Sequence, residues 1–142
     1  MKKLTLTVAM AAIVSLALVL SSCGGGGGSQ SPETVAEKYI AAMLKQDFSA
    51  MKKYASEKEL KNIEEQEAEV KDMPAEKKEL LKALEAAKTE VQPALINEST
   101  PDIANVNVNY ILKFNGEEND GTWKVKLVKE NGDWKVDNVS LK

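Results

Sequence analysis

Apolar side chains recur at three-and-four spacing through Val35, Ala36, Tyr39, Ile40, Met43 and Leu44, which predicts an amphipathic helix with one face built for burial. Ser31-Pro32-Glu33 supplies its start: a capping hydroxyl, a proline tolerated at the first helical position, and an acid at the positive end of the dipole. Gln46-Asp47 interrupts the pattern. Phe48, Met51, Tyr54 and Ala55 then predict a second, short helix with Lys52 and Lys53 on its open side, and two helices so tightly joined should pack together. From Glu57 to Val91 the chain is rich in lysine, glutamate and other helix formers. Its apolar stripe runs Leu60, Ile63, Val70 and then Leu80, Leu81, Leu84, Ala87, Val91, with Asp72-Met73-Pro74 predicted to split it into two helices. Between Lys61 and Lys71 only Ile63, Ala68 and Val70 are apolar, so an exposed or mobile helix is expected there, available to a partner.

The last third changes period. Ala104, Val106, Val108, Tyr110, Leu112 and Phe114 alternate with Asn105, Asn107, Asn109 and Lys113, and Trp123, Val125 and Leu127 repeat the alternation. Such a period of two predicts strands with one buried face. Asn131-Gly132 is a strong hairpin signal; pairing across it sets Lys129 against Trp134 and Leu127 against Val136. Taking Glu117 to Asp120 as the preceding turn sets Phe114 against Trp123 and Leu112 against Val125, and both registers keep the large apolar residues on one face. After Val136 the apolar positions shift phase to Val139 and Leu141, which predicts a bulge near Asp137-Asn138. Ala94 to Ser99, ended by Thr100-Pro101-Asp102, is expected to be the first strand. The elements thus predict an α+β domain: N-terminal helices over about 32–91 packed on a curved antiparallel meander over about 94–141.

Ahead of this domain, Lys2-Lys3 is followed by an uncharged run from Leu4 to Leu20 and then Ser21-Ser22-Cys23. A basic start, a short apolar segment and small residues before a cut describe an export signal, and the run is at the short limit for spanning a hydrocarbon core of about 30 Å. Leu20-Ser21-Ser22-Cys23 resembles the lipobox of bacterial lipoproteins, so residues 1–22 are expected to be removed and Cys23, the chain's single cysteine, to carry the lipid. Stable anchoring takes more than one acyl chain, and bacterial lipoproteins of this kind carry two or three. Residues 23–30, with five consecutive glycines from Gly24 to Gly28, are expected to act as a tether, and 31–142 as a single domain. The resemblance places the protein in the cell envelope: the outer membrane where there are two membranes, otherwise the outer face of the cell membrane.

Charge narrows the partners. Removing residues 1–22 from 142 leaves 120, and loss of Lys2 and Lys3 takes the formal net charge from −3 to −5. Every basic residue is lysine, interleaved with acids, so the basic stripe and bidentate arginines usual in nucleic-acid recognition are missing. Histidine is absent, which removes histidine bases, Ser-His and Cys-His pairs and the commonest zinc ligand. No calcium loop of EF-hand spacing is present; Glu117-Glu118-Asn119-Asp120 comes nearest and reads as a solvated hairpin tip. No metal and no cofactor are expected.

Pro32-Glu33-Thr34-Val35-Ala36 leading to Tyr39, the break at Gln46-Asp47-Phe48, and the closing run from Val128 to Asp137 resemble bacterial lipoproteins with a domain of unknown function of the nuclear-transport-factor-two-like, or cystatin-like, superfamily. The likeness covers about Ser31 to Leu141. It implies a cone in which a curved sheet wraps a long first helix and leaves a pocket at the open end. Some members are isomerases or dehydratases using an aspartate or an aspartate–histidine pair; here no histidine completes a pair, and Asp47 lies at a helix break. If a pocket is present, Tyr39, Met43, Tyr54, Tyr110, Trp123 and Trp134 are expected around it, although aromatic residues and methionine at core spacing are more often simply core. The expected activity is non-catalytic binding of a small apolar ligand or an envelope protein by a membrane-anchored lipoprotein. The alternatives are an assembly role, docking through the Glu57 to Val91 helices or the asparagine row, and a carboxylate- and tyrosine-based isomerase- or dehydratase-like enzyme.

Overall fold

The computed structural model describes residues Gln30–Lys142; the expected leader, Cys23 and the glycine run lie outside the described residues. Residues Ser31–Lys142 form one compact unit. Among the described residues four helices come first: α1 (Pro32–Leu44), α2 (Phe48–Tyr54), α3 (Glu57–Lys71) and α4 (Ala75–Glu85). A five-stranded antiparallel sheet follows: β1 (Lys88–Val91), β2 (Leu95–Asn97), β3 (Thr100–Phe114), β4 (Glu117–Glu130) and β5 (Asp133–Leu141). The sheet is curved, and the fold is α+β. Among the described residues no helix is long and apolar enough to cross a membrane.

Local chemistry sets the helix ends. Ser31 caps α1, its Oγ accepting the Thr34 N–H at 3.2 Å. The helix stops where Gln46 takes a left-handed conformation (φ 54°) and the Asp47 N–H reaches back to the Ala42 carbonyl at 2.9 Å, a turn that satisfies a carbonyl otherwise left open at a helix end. Asp47 then caps α2, its Oδ1 accepting the Ala50 N–H at 3.0 Å. The predicted break at Asp72-Met73-Pro74 separates α3 from α4. Between Lys61 and Lys71, α3 is largely exposed, but Ile63 is fully buried.

The strands are arranged β1-β3-β4-β5, with β2 pairing the opposite end of β3 from β1. Val35, Ala36, Tyr39 and Ile40 of α1 pack on the inner face, where Ala104, Val106, Val108, Val125, Leu127 and Val136 are sealed from solvent. Leu127 pairs with Val136 and Lys129 with Trp134, as the Asn131-Gly132 turn requires. The ladder shifts between Lys126 and Leu127, leaving Asp137 as the extra, bulged residue.

Three expectations need correction. The turn before β4 is Asn115-Gly116, not Glu117 to Asp120, which are the first residues of β4 itself; Phe114 therefore pairs with Glu117, and Trp123 with Val108 instead of Phe114. Asn115 and Gly116 both hold positive φ (52° and 80°), as do Asn131 and Gly132 (52° and 84°), the requirement of a tight two-residue hairpin turn whose twist matches that of its strands. Secondly, the helices end at Glu85: Lys88–Val91 pairs with Val108 to Ile111 as the first strand, because a partner edge on β3 overrides the helical preference of a lysine- and glutamate-rich run. Thirdly, Ala94 to Ser99 holds the second strand, and Thr100-Pro101-Asp102 opens β3. Pro101 is accommodated because the ladder with β4 begins only at Ile103.

Candidate functional site

An apolar cavity of about 390 Å³ opens at the end of the sheet where α1 finishes. The last turn of α1 contributes Met43 and Leu44, and α2 contributes Phe48 and Met51. Val70, Met73, Leu81 and Leu84 close one side from the α3–α4 hairpin, while Tyr110, Leu112, Trp123 and Leu141 form the floor on the sheet. Gln46, Gln66 and Glu69 are the polar residues of the lining, and no cationic side chain belongs to it. The hairpin is a loose cover: no residue of α4 is buried, and Leu80 on its outer side is 41% exposed. Three methionines in the lining give it flexible, polarisable walls that can repack around an irregular shape.

The floor is organised by a stack. The Tyr110 and Trp123 rings lie 4.1 Å apart between centroids at 26°, and Tyr110 pairs across the ladder with Gly121. A Cβ on Gly121 would meet the Tyr110 hydroxyl oxygen at 2.5 Å. Glycine is what lets the phenol lie down on β4 and reach Trp123.

Of the residues expected around a pocket, Met43, Tyr110 and Trp123 line this cavity. Tyr39, Tyr54 and Trp134 do not. Trp134 pairs with Lys129, six residues along β4 from Trp123 and so about 20 Å away, and the Lys129 ammonium lies 5.0 Å from its ring centre. Tyr54 is half-buried, with the Lys38 ammonium 5.9 Å from its ring centre. Tyr39 is buried in the core, where its hydroxyl donates to Glu59 Oε1 at 2.9 Å. Burial first, then the Glu59 carboxylate and this hydrogen bond, push the phenol well above the usual tyrosine range. The reason for the misplacement is common to all three: alternation and helical spacing identify the buried face, but not which stretch of it is left uncovered.

Glu59 is the residue that pattern reading missed. It is only 4% exposed, and its second oxygen accepts from Asn62 Nδ2 at 2.8 Å. The signal is the capping sequence Ser56-Glu57-Lys58-Glu59: the Ser56 Oγ accepts the Glu59 N–H at 3.2 Å. Instead of folding back on its own helix end, the Glu59 carboxylate turns to Tyr39, and the Ser56 N–H bonds the Val136 carbonyl of β5 at 2.8 Å. Ser56 Oγ also donates to the bulged Asp137 at 3.3 Å, which in turn lies 3.5 Å from the Lys126 ammonium and 3.7 Å from that of Lys58. Neither Tyr39 nor Glu59 lines the cavity; the network ties α1, α3 and β5 together in the core. Asp47 is likewise committed to a helix cap. Among the described residues no group of three or more acids or thiols is placed to hold a metal ion.

The asparagine row lies on the outer face of β3, half-buried, with Asn109 Oδ1 accepting from the Thr122 hydroxyl of β4 at 2.8 Å. That bond gives one of these unusual strand residues a cross-strand role.

No curated protein matches the chain. With helices leading into one curved antiparallel sheet, and with a match that runs over residues 21–137, the chain belongs to the family described as a domain of unknown function, DUF4878.

Proposed function

We propose that the protein is a lipid-anchored envelope lipoprotein, cut before Cys23, whose nuclear-transport-factor-two-like domain binds a small apolar ligand without catalysing a reaction. The observation that carries the binding reading is the cavity between the α3–α4 hairpin and the Tyr110–Trp123 floor, whose lining is almost wholly apolar. Its volume of about 390 Å³ falls in the range of small-molecule sites, which are lined mainly by apolar and aromatic side chains with few polar groups to orient the guest. With Glu69 as the one charged residue of the lining, a carboxylate or phosphate group would meet no countercharge. The guest is therefore an uncharged molecule, or one whose polar end is neutral or cationic and points to Gln46, Gln66 and Glu69. The lipid anchor is supported by the leader and by Cys23, which lies inside the family match that begins at residue 21.

The test of binding is titration with the uncharged dye N-phenylnaphthylamine, read by dye emission and by energy transfer from Trp123 in a Trp134→Phe background. Saturable binding that Leu81→Glu abolishes without changing the melting profile is expected. Failure of the dye and of neutral amphiphiles to bind would leave the domain as a docking module. Anchoring is read separately, from the intact mass and membrane fractionation of the full chain expressed in a bacterium beside Cys23→Ala. A mass for cleavage before Cys23 plus acyl chains is expected for the native chain alone.

A further inference from the structure

The cavity occupies one end of α1; the other end carries an apolar edge that nothing described above uses. Leu95 and Ile96 of β2 are 66% and 47% exposed. Successive strand residues point to opposite faces, so with both side chains in water the β2–β3 hairpin forms a lip uncovered on both sides. Pro93 and Pro101 beside it are exposed as well. Its position follows from one bond: the Ala94 N–H donates to the Glu33 carboxylate at 2.9 Å, which fastens the lip to the first turn of α1. The chain that leads back to Cys23 leaves from that same turn.

We propose that this lip is a second membrane contact, in which Leu95 and Ile96 seat in the interfacial layer of the bilayer that holds the Cys23 lipid. The proposal rests on the lipid-anchored reading. Eight residues, 24–31, separate Cys23 from the start of α1; they span at most about 29 Å and about 15 Å on average for a glycine-rich chain. The tether root, and with it the lip, is therefore held within reach of the lipid surface. Two aliphatic side chains bind a bilayer weakly from free solution, but a short tether supplies an effective concentration in the millimolar range. The orientation that results places the cavity at the far end of α1, about 16 Å from Glu33 to Leu44 along the axis, facing away from the membrane. Charge selects the lipid: the lip's own segment, residues 89–112, has no lysine but carries Glu90, Glu98 and Asp102, and Lys126, which the ladder places two strands from Leu95, lies 3.5 Å from the Asp137 carboxylate. The surface contacted is a zwitterionic one, and anionic lipid repels it.

The test uses residues 23–142, which contain the whole compact unit and its core, with the single thiol of Cys23 coupled to a maleimide lipid in phosphatidylcholine vesicles whose acyl chains are brominated. Leu95→Trp reports on the lip. Glu118→Trp, exposed beside the Asn115-Gly116 turn, reports on the cavity end. Quenching and a blue shift at position 95, none at 118 beyond the parent, and loss of the effect as anionic lipid is added are expected, with unchanged melting showing that both variants fold. Equal quenching at both positions, none at either, or stronger quenching with anionic lipid would overturn the proposal. So would shielding of position 95 that grows with protein concentration in the absence of lipid, which would assign the lip to a second copy of the chain. Because the lipid is attached chemically, these outcomes do not depend on whether cells acylate Cys23; the mass measurement decides that alone.

Discussion

Replacing Tyr39 by Phe removes a single oxygen from the core and tests whether the Tyr39–Glu59 bond holds α3 to α1. Glu59 stays in place at 4% exposure with Asn62 on one oxygen, but its other oxygen loses a donor at 2.9 Å. Hydrogen bonds to charged groups contribute about 1.5–3 kcal/mol net, and little room exists for water to substitute around side chains this buried. Urea unfolding at pH 7 should therefore show a loss of about 2 kcal/mol with an unchanged slope. A second signature separates this bond from mere packing. In the folded protein the phenol is pushed above its ordinary value of 10, so above that pH the unfolded chain gives up a proton that the native state retains. The stabilisation is complete below pH 10 and declines as pH rises further, with a limiting slope of about 1.4 kcal/mol per unit for one proton. Subtracting the Tyr39→Phe profile from the native one isolates that slope from the titration of the lysines. A variant within about 0.5 kcal/mol of the native chain, with no difference between the two profiles above pH 10, would refute the reasoning.

Gly121→Ala should cost about 1–3 kcal/mol, since its Cβ meets the Tyr110 oxygen at 2.5 Å; the displaced ring should also weaken dye binding in the cavity, and thermal melts beside the titration check both. Gly116→Ala and Gly132→Ala face open space but hold φ of 80° and 84°, so each should lose about 1–2 kcal/mol from conformation alone, and denaturant unfolding should find the two equivalent. Ser56→Ala removes both the α3 cap and the bond to Asp137; a loss at the upper end of the usual range for caps, about 2 kcal/mol, is expected in the same assay, and Ser56→Thr should recover most of it.

The misread hairpin shows where pattern reading stops. Side chains alternate with a period of two, so any slip of even length keeps every apolar residue on the inner face. The expected pairing of Trp123 with Phe114 differs from the actual pairing with Val108 by six residues, and consistency of faces could not detect it. Turn chemistry does: Asn115-Gly116 is the same dipeptide as Asn131-Gly132, and both demand the same positive φ. The bulge was legible for the complementary reason. An odd shift of phase after Val136 moves side chains between faces, and one extra residue, Asp137, accounts for it.

Local physics sufficed wherever a short segment decides its own conformation. Ser31-Pro32-Glu33 begins a helix, Asp72-Met73-Pro74 divides one, Asn131-Gly132 closes a hairpin, and the alternation in β3 and β4 gives a strand one buried face. The α+β class follows from the same residues. Tertiary structure decided what depends on partners distant in the chain. Lys88–Val91 is a strand because β3 offers it an edge, and Glu59 enters the core because Tyr39 lies 20 positions away in sequence but 2.9 Å away in space. Met43, Tyr110 and Trp123 border a cavity, while Tyr39 and Trp134 are covered, because the α3–α4 hairpin closes over the sheet from one end. Burial can be read from periodicity, but an uncovered apolar surface is defined by where other elements stop, and that is a property of the packed molecule.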